Sequence, residues 1–413
     1  MQQEDQTIEP DAAAADDRAL QELSDWIVEQ GLRGSDNLAS LIEEFCVRMC
    51  GIGVKLLRMH ISIAALHPTI VGYGGQWWRG HGFRLENYER ESQLMSDFQN
   101  SPLRVLRNER MPEMRRRLDG DDVDLGYPVF EEFREVGGTE WIGRLVEFGT
   151  DGEETALPGM LISWLTDRPG GFLDREVALM NRILPRLALV CYRIALKRVA
   201  KDLLDAYVGV EAGRRVLSGQ ILRGDATQLY AVVMIADLRE FTRFAEETPS
   251  EDVLASLNRV LGDLTDAVEA QGGEVLKFLG DGVLAIFSLE NQDPGAVAAG
   301  ALAAAQSALS ANVAYNRERS AAGLPPLKVD IALDLGELMY GNVGSNRRLD
   351  FTVIGPAVNE ASRIEALCEP LGHHLLMSKS FADAFPGPLT SIGEHWLRGV
   401  ARPQALFVAS EAA

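Results

Sequence analysis

Two aspartates stand where strand ends would bring carboxylates together. Tyr230 to Ala236 is an apolar run of strand length that ends in Asp237. Glu274 to Phe278 and Val283 to Phe287 read as two short strands around Leu279-Gly280-Asp281-Gly282, a tight hairpin turn. If that hairpin neighbours the first strand, Asp237 and Asp281 meet. Two acids so placed can hold two divalent cations about 3.5–4 Å apart, which stabilises both oxygens of a phosphoryl displacement. Mg²⁺ suits carboxylates combined with phosphate oxygens, and Mn²⁺ accepts the same donors. An Asp in a Gly-flanked turn is more often only a turn residue, so Asp281 means little without Asp237. A second pair lies downstream. Gly355-Pro356 is a good helix start, because Pro suits the first helical position. Asn359 and Arg363 then fall one turn apart on one helix face. An amide and a guanidinium side by side suit charge spread over a phosphoryl group. The plain alternative is a surface Asn and a surface Arg on an ordinary helix.

The elements that must position these residues are legible in outline. Ser250 to Ala270 is amphipathic at helical spacing, with Val253, Leu257, Val260, Leu264 and Val268 on one face. Gln271-Gly272-Gly273 ends it. An Ala-rich helix runs from Pro294 to about Arg319, and Leu327 to Leu333 is the next strand. The order β-α-β-β-α-β predicts a ferredoxin-like core.

Four segments in this half resemble the successive motifs of class III adenylate/guanylate cyclases, the bacterial Thr-type subgroup in particular. They are Asp237-Leu-Arg-Glu-Phe-Thr242, Lys277-Phe-Leu-Gly-Asp-Gly282, Asp350-Phe-Thr-Val-Ile-Gly355 and Val358-Asn-Glu-Ala-Ser-Arg363. The resemblance spans roughly residues 225 to 410. It implies roles position by position. Asp237 and Asp281 match the metal-binding acids, with Phe241 and Thr242 in the loop beside the substrate. Lys277 and Thr352 match the pair that reads adenine; guanylyl cyclases usually carry Glu and Cys there. Asn359 matches the residue that orients the ribose, and Arg363 the one that stabilises the transition state. Arg347 or Arg348 falls where a cation meets the terminal phosphates. The implied reaction is in-line attack of the ribose 3′-hydroxyl on the α-phosphate of ATP, giving 3′,5′-cyclic AMP and pyrophosphate with two Mg²⁺ or Mn²⁺ per site. The family builds each site from two chains, so the resemblance implies a homodimer.

Glu240 stands where most members of that family have Gly, which puts the rate in doubt. Other readings are a cyclase for GTP or a pyrimidine triphosphate, and a catalytically silent nucleotide- or ligand-binding sensor dimer. A diguanylate cyclase would carry a different turn and would leave Asn359 and Arg363 unexplained.

The formal net charge of −21 at pH 7 argues against a sequence-independent grip on nucleic acid or an anionic membrane. No apolar run approaches the roughly 20 residues of a membrane span. The N-terminus has neither a basic nor an apolar signal region, so the expected setting is cytoplasmic. Cys46, Cys50, Cys191 and Cys368 are too few and scattered for a disulfide framework. Cys46 and Cys50 at i,i+4 read as core residues.

At 413 residues two domains are expected, of overall class α+β. Residues 1–19 read as a disordered acidic tail. Residues 20–173 read as an N-terminal α/β sensor or dimerisation domain. Helical spacing runs from Leu20 to about Arg48 with a break near Gly31 to Ser35, followed by strands at Leu56 to Ala64, Trp141 to Phe148 and Met160 to Thr166. Ser163 to Phe172, followed by a long helix, resembles the end of a GAF domain. Trp77, Trp78, His67 and Pro68 either line a ligand pocket or, more simply, pack the core. Residues 174–224 read as a signalling helix and connector, and 225–413 as the cyclase-like catalytic domain. The long helix is expected to pair across a dimer and carry a signal from an unknown small-molecule or protein regulator.

Overall fold

The computed structural model describes residues 10–33, 36–90, 98–120, 125–149, 157–345 and 347–410. The chain divides into two compact units, one ending at Leu203 and the other beginning at Leu204. That division falls inside the long helix Asp174–Val208, not at 173 or 224. The reason is packing. Met180, Ile183, Leu187, Cys191, Ile194 and Val199 recur every three or four residues and are buried in the first unit's core. Ala212, beyond the boundary, is buried in a core of the second unit.

The first unit is a six-stranded antiparallel sheet. Its strands are β1 (Arg58–Ala64), β2 (Ile70–Trp78), β3 (Gly82–Glu89), β4 (Glu113–Arg117), β5 (Glu140–Glu147) and β6 (Gly159–Thr166). Their order is β3-β2-β1-β6-β5-β4. The helices Pro10–Leu32, Leu38–Gly51 and Asp174–Val208 cover one face. The short helices Pro102–Asn108 and Pro128–Glu135 share a second cluster with the other face. Residues 10–19 are helical, which corrects the expected disordered tail; residues 1–9 of that tail lie outside the described residues. Pro10 suits a first helical turn and Ala12 to Ala15 favour helix. Leu20, Leu23 and Ile27 then anchor the helix in the core. Cys46 is buried there, its Sγ 3.2 Å from Met59 Sδ, and burial pushes its thiol pKa up.

The second unit holds an eight-stranded sheet. Its strands are β7 (Ala226–Leu238), β8 (Glu274–Leu279), β9 (Gly282–Ser288), β10 (Val329–Gly344), β11 (Leu349–Ile354), β12 (Leu375–Met377), β13 (Leu389–His395) and β14 (Gln404–Ala409). The order is β13-β14-β12-β10-β7-β9-β8, with β11 paired to β10. The first and last strands of the βαββαβ core therefore lie side by side. Period-2 alternation assigns the faces. Val232, Met234 and Ala236 pack under the helices Ser250–Ala270 and Pro294–Ala321. Val233 and Ile235 face the opposite cluster, with Ala357 and Ala361 of the helix Pro356–Glu365. The helix Pro294–Ala321 is, by length and composition, apolar enough to cross a bilayer, contrary to the sequence reading. Its apolar character goes into packing, with Val297, Ala298, Ala301, Leu302 and Ala305 buried in the core.

Candidate active site

Asp237 is in phase with Val233 and Ile235, so it shares their sheet face at the end of β7. Ala236 pairs with Val283 of β9, and the turn Gly280-Asp281 lies immediately before that strand. Gly280 has φ +73°, which favours Gly in this two-residue turn. A Cβ on Gly282 would lie 2.8 Å from Asp237 Oδ1. Glycine at 282 therefore lets the turn come down beside the Asp237 carboxylate. Burial, and then the charge of Asp281, push the Asp237 carboxyl up to about 6. Neither acid forms an ion pair among the described residues.

Two further acids stand here that the sequence did not mark. Glu365 closes the helix Pro356–Glu365, and its carboxyl is pushed up to about 7 by burial, then by Asp237, Asp330 and Asp281. Asp330 is directly opposite Asp237 across β7 and β10. Unlike Asp237, it is paired. Arg239 clamps it with two hydrogen bonds, Nε to Oδ2 at 2.8 Å and Nη2 to Oδ1 at 2.7 Å, and His374 Nδ1 lies 2.7 Å from Oδ1. Arg239 thus leaves Asp237 and Asp281 as the uncompensated pair. Arg239 stands in the turn that follows β7, two residues after Asp237.

A second group forms at β8 and β11. A register shift between Val275 and Lys277 sets Lys277 opposite Leu284, whose side chain belongs to the same core face as Ile235. Lys277 forms an ion pair with Asp350. Thr352 is two residues further along β11. It thus lies on the strand face of Asp350, the residue that holds Lys277, a role the sequence reading does not give to Asp350.

Asn359 and Arg363 lie one turn apart on the helix Pro356–Glu365, Asn359 exposed and Arg363 half-buried. Arg363 makes no ion pair among the described residues; a side chain on Gly399 would meet its Nη2 at 3.8 Å. Arg347 and Arg348 are both exposed in the turn after β10, where their backbone N–H groups donate to Ser345 Oγ. Phe241 packs against the core, its ring 5.9 Å from that of Phe244. Thr242 is exposed beside it. Among the described residues, no hydrogen bond or ion pair links the aspartate pair to Lys277, Asn359 or Arg363.

A βαββαβ core with crowded carboxylates at its strand ends defines a class of domain suited to phosphoryl chemistry. Residues 227–383 match the family model for the adenylate and guanylate cyclase catalytic domain. The adenylate cyclase of Anabaena cylindrica is 34% identical over 161 residues, which is 38% of this chain and 31% of that protein. Adenylate cyclase 1 of Rhizobium meliloti is 29% identical over 206 residues, 49% of this chain and 29% of the relative. The chain thus spans about a third of the length of these curated relatives. Among solved structures, the adenylyl cyclase CyaB from P. aeruginosa aligns with a TM-score of 0.42 and 23% identity. That alignment covers 46% of this chain and 97% of the other.

Proposed function

We propose that the second unit converts ATP into 3′,5′-cyclic AMP and pyrophosphate, in sites completed by a second copy of the chain. The observation that carries this reading is the half-buried Asp237–Asp281 pair, which lacks a cation partner among the described residues. Like-charged carboxylates forced together suit a divalent cation, and Mg²⁺ or Mn²⁺ fits their hard oxygen donors. Asp237 and Asp281 would hold it. Bound there, such a cation supplies charge neutralisation and Lewis acidity at phosphate.

The chain's own residues supply the rest. Lys277 donates to a ring nitrogen of adenine, and the Thr352 hydroxyl reads the exocyclic amine. Asn359 orients the ribose so that its 3′-oxygen lines up with the α-phosphorus. Arg363 takes up charge that develops on the transferring phosphoryl group. Arg347 or Arg348 meets the terminal phosphates. No side chain beside the pair is assigned as general base.

Two exposed apolar surfaces support assembly with a second copy. Phe278 is 54% exposed and Ile354 51%, on the strands that carry Lys277 and Thr352; Leu279, Met339 and Leu349 are also exposed there. On the long helix, Leu189, Tyr192 and Leu196 form an exposed i, i+3, i+7 stripe. Single exposed apolar residues mean little, but contiguous ones mark interaction surfaces. We read the first unit as the regulatory one.

The test is turnover of ATP, GTP, CTP and UTP by the full chain with Mg²⁺ and with Mn²⁺, beside Asp281→Ala. Cyclic AMP that vanishes in the variant is expected. Cyclic GMP in excess would move the substrate to GTP. No cyclic product from a folded, dimeric protein would sink the reading.

A further inference from the structure

The first unit contains a cavity of about 1190 Å³. Small-molecule sites typically enclose about 300–1,000 Å³, so this one has room for an organic ligand. β1 shows how it is built. Met59 and Ile61 enter the core, while the alternate residues Arg58, His60, Ser62 and Ala64 line the cavity; Ile63 belongs to both. The pair Trp77-Trp78 divides the same way, with Trp77 in the core and Trp78 on the cavity wall. His67 lies outside it, its Nδ1 accepting from the Thr69 N–H. Leu103 and Arg107 from one short helix and Glu132 and Phe133 from the other complete the wall.

Two side chains in this cavity lack the partner their chemistry asks for. Arg58 donates from Nε to Gln76 Oε1 at 3.0 Å, and its guanidinium lies 4.9 Å from the Phe133 ring centroid and 5.6 Å from that of Trp78. It forms no ion pair among the described residues. Burial pulls its pKa down to about 10, so it stays charged near neutral pH. His60 is only 9% exposed. Its Nε2 is 3.2 Å from Tyr88 Oη, but its Nδ1 is buried with no partner. Burial and the Arg58 charge pull its pKa down to about 3, so the imidazole is neutral and one ring nitrogen is unmet. Buried polar groups are normally satisfied. Glu86 and Glu132 on the wall act on Arg58 through their charge, but neither forms an ion pair with it among the described residues. Glu147 is paired with Arg110, and Glu86 accepts from Gln76 Nε2 at 3.3 Å.

We propose that this cavity binds a small organic anion with a flat apolar body, its anionic group on Arg58. Trp78, Phe133 and Trp141 supply flat apolar wall for the body. The regulatory consequence rests on reading the first unit as a sensor, whereas binding itself is measured without turnover.

The probes are 8-anilinonaphthalene-1-sulfonate and N-phenyl-1-naphthylamine, the same ring system without the anion. Each is titrated by fluorescence into the full chain, Arg58→Gln and Ser62→Trp, with far-UV circular dichroism as the fold control. We expect saturable binding of one sulfonate probe per wild-type chain, weakened about tenfold or more in Arg58→Gln, because a charge-assisted hydrogen bond is lost. Binding of the neutral probe should change less than about twofold, since a neutral ligand gains nothing from that bond. Ser62→Trp, which fills the cavity, should abolish both. Equal sulfonate affinity in wild type and Arg58→Gln, or parallel loss of both probes there, overturns the anion assignment. If Arg58→Gln does not fold, Ser62→Trp decides alone, and unchanged sulfonate binding in it refutes the cavity as the site. Absence of saturable binding by the wild-type chain refutes it as well.

Discussion

The aspartate pair of the second unit and the Arg58–His60 corner of the first are built on one physical plan with opposite sign. Each takes polar groups partly out of water and withholds a partner. At Asp237 and Asp281 the withheld partner is a cation, and the strain appears as a carboxyl pushed up to about 6. At Arg58 it is an anion, and the strain appears as a guanidinium pulled down to about 10. A fold that only needed stability would pair such groups, as Arg239 pairs Asp330 in the second unit. Unpaired, desolvated charge is what a binding site looks like before its ligand arrives. The two sites also differ in completeness. The cavity is lined by residues of its own unit, whereas the aspartate pair has no bonded link to Lys277, Asn359 or Arg363 among the described residues.

That difference in completeness gives the largest expected effect. Asp281→Ala and Arg363→Ala should each lower turnover by about 10³-fold or more, since each removes charge stabilisation at the phosphoryl group. If the site is shared between copies, co-folding the two variants should restore about a quarter of wild-type activity. Random pairing makes about half the dimers mixed, and each mixed dimer has one of two sites intact. Recovery near zero would mean that each chain supplies both residues to its own site.

Next in size is the base. Lys277 and Thr352 are the residues expected to separate ATP from GTP, and Lys277 is held by Asp350. Lys277→Glu with Thr352→Cys should lower kcat/KM for ATP by roughly 10²-fold and raise it for GTP, since reversed donors leave buried polar groups unmatched. An unchanged ATP/GTP ratio would remove these positions from recognition.

The metal-free pair also predicts a pH dependence. Asp237 has a folded-state pKa of about 6, above its ordinary value of 3.8. An acid raised in this way holds its full stability below the unfolded pKa, and that stability is lost as pH rises through about 6. Asp237→Asn should therefore raise the metal-free Tm at pH 7.5 by about 2–4 °C, after discounting for solvent screening. The gain should shrink toward zero by about pH 4. Adding Mg²⁺ should raise the wild-type Tm and leave the variant's nearly unchanged. A destabilised variant at pH 7.5 would mean that the carboxylate is satisfied rather than crowded.

How far these features were legible in the sequence follows from how local their signals are. Asp237 and Asp281 sit at strand ends, and strand periodicity with turn chemistry carried them. The helices Ser250–Ala270 and Asp174–Val208 announced themselves through heptad-like spacing. Strands β2, β3 and β4 did not. β2 has three glycines and β4 three arginines in five residues, so neither shows clean alternation. Glu365 and Asp330 enter the site only through helix packing and cross-strand register, which no local window contains. The cavity was even less visible. Arg58 and His60 alternate with core residues as any half-exposed strand would, and only the tertiary structure reveals that the alternate face opens inward.

The smallest expected effect concerns Glu240, where the chain departs from the glycine usual in the family it resembles. Its backbone lies at φ 55°, ψ 28°, the left-handed region, at the start of the helix Phe241–Glu247. A side chain there costs about 1 kcal/mol, and glycine recovers part of this while losing more entropy on folding. Glu240→Gly should therefore raise Tm by only about 1–3 °C. The carboxylate is exposed and electrostatically close to Arg243, which limits its repulsion of a triphosphate. Glu240→Gln separates the two contributions, because it removes the charge and keeps the strain. If turnover rises in both variants, charge was the brake. If it rises only with glycine, backbone conformation set the rate, and the loop after Asp237 must move during the cycle. If it rises in neither, the departure at 240 is a stability cost without catalytic consequence.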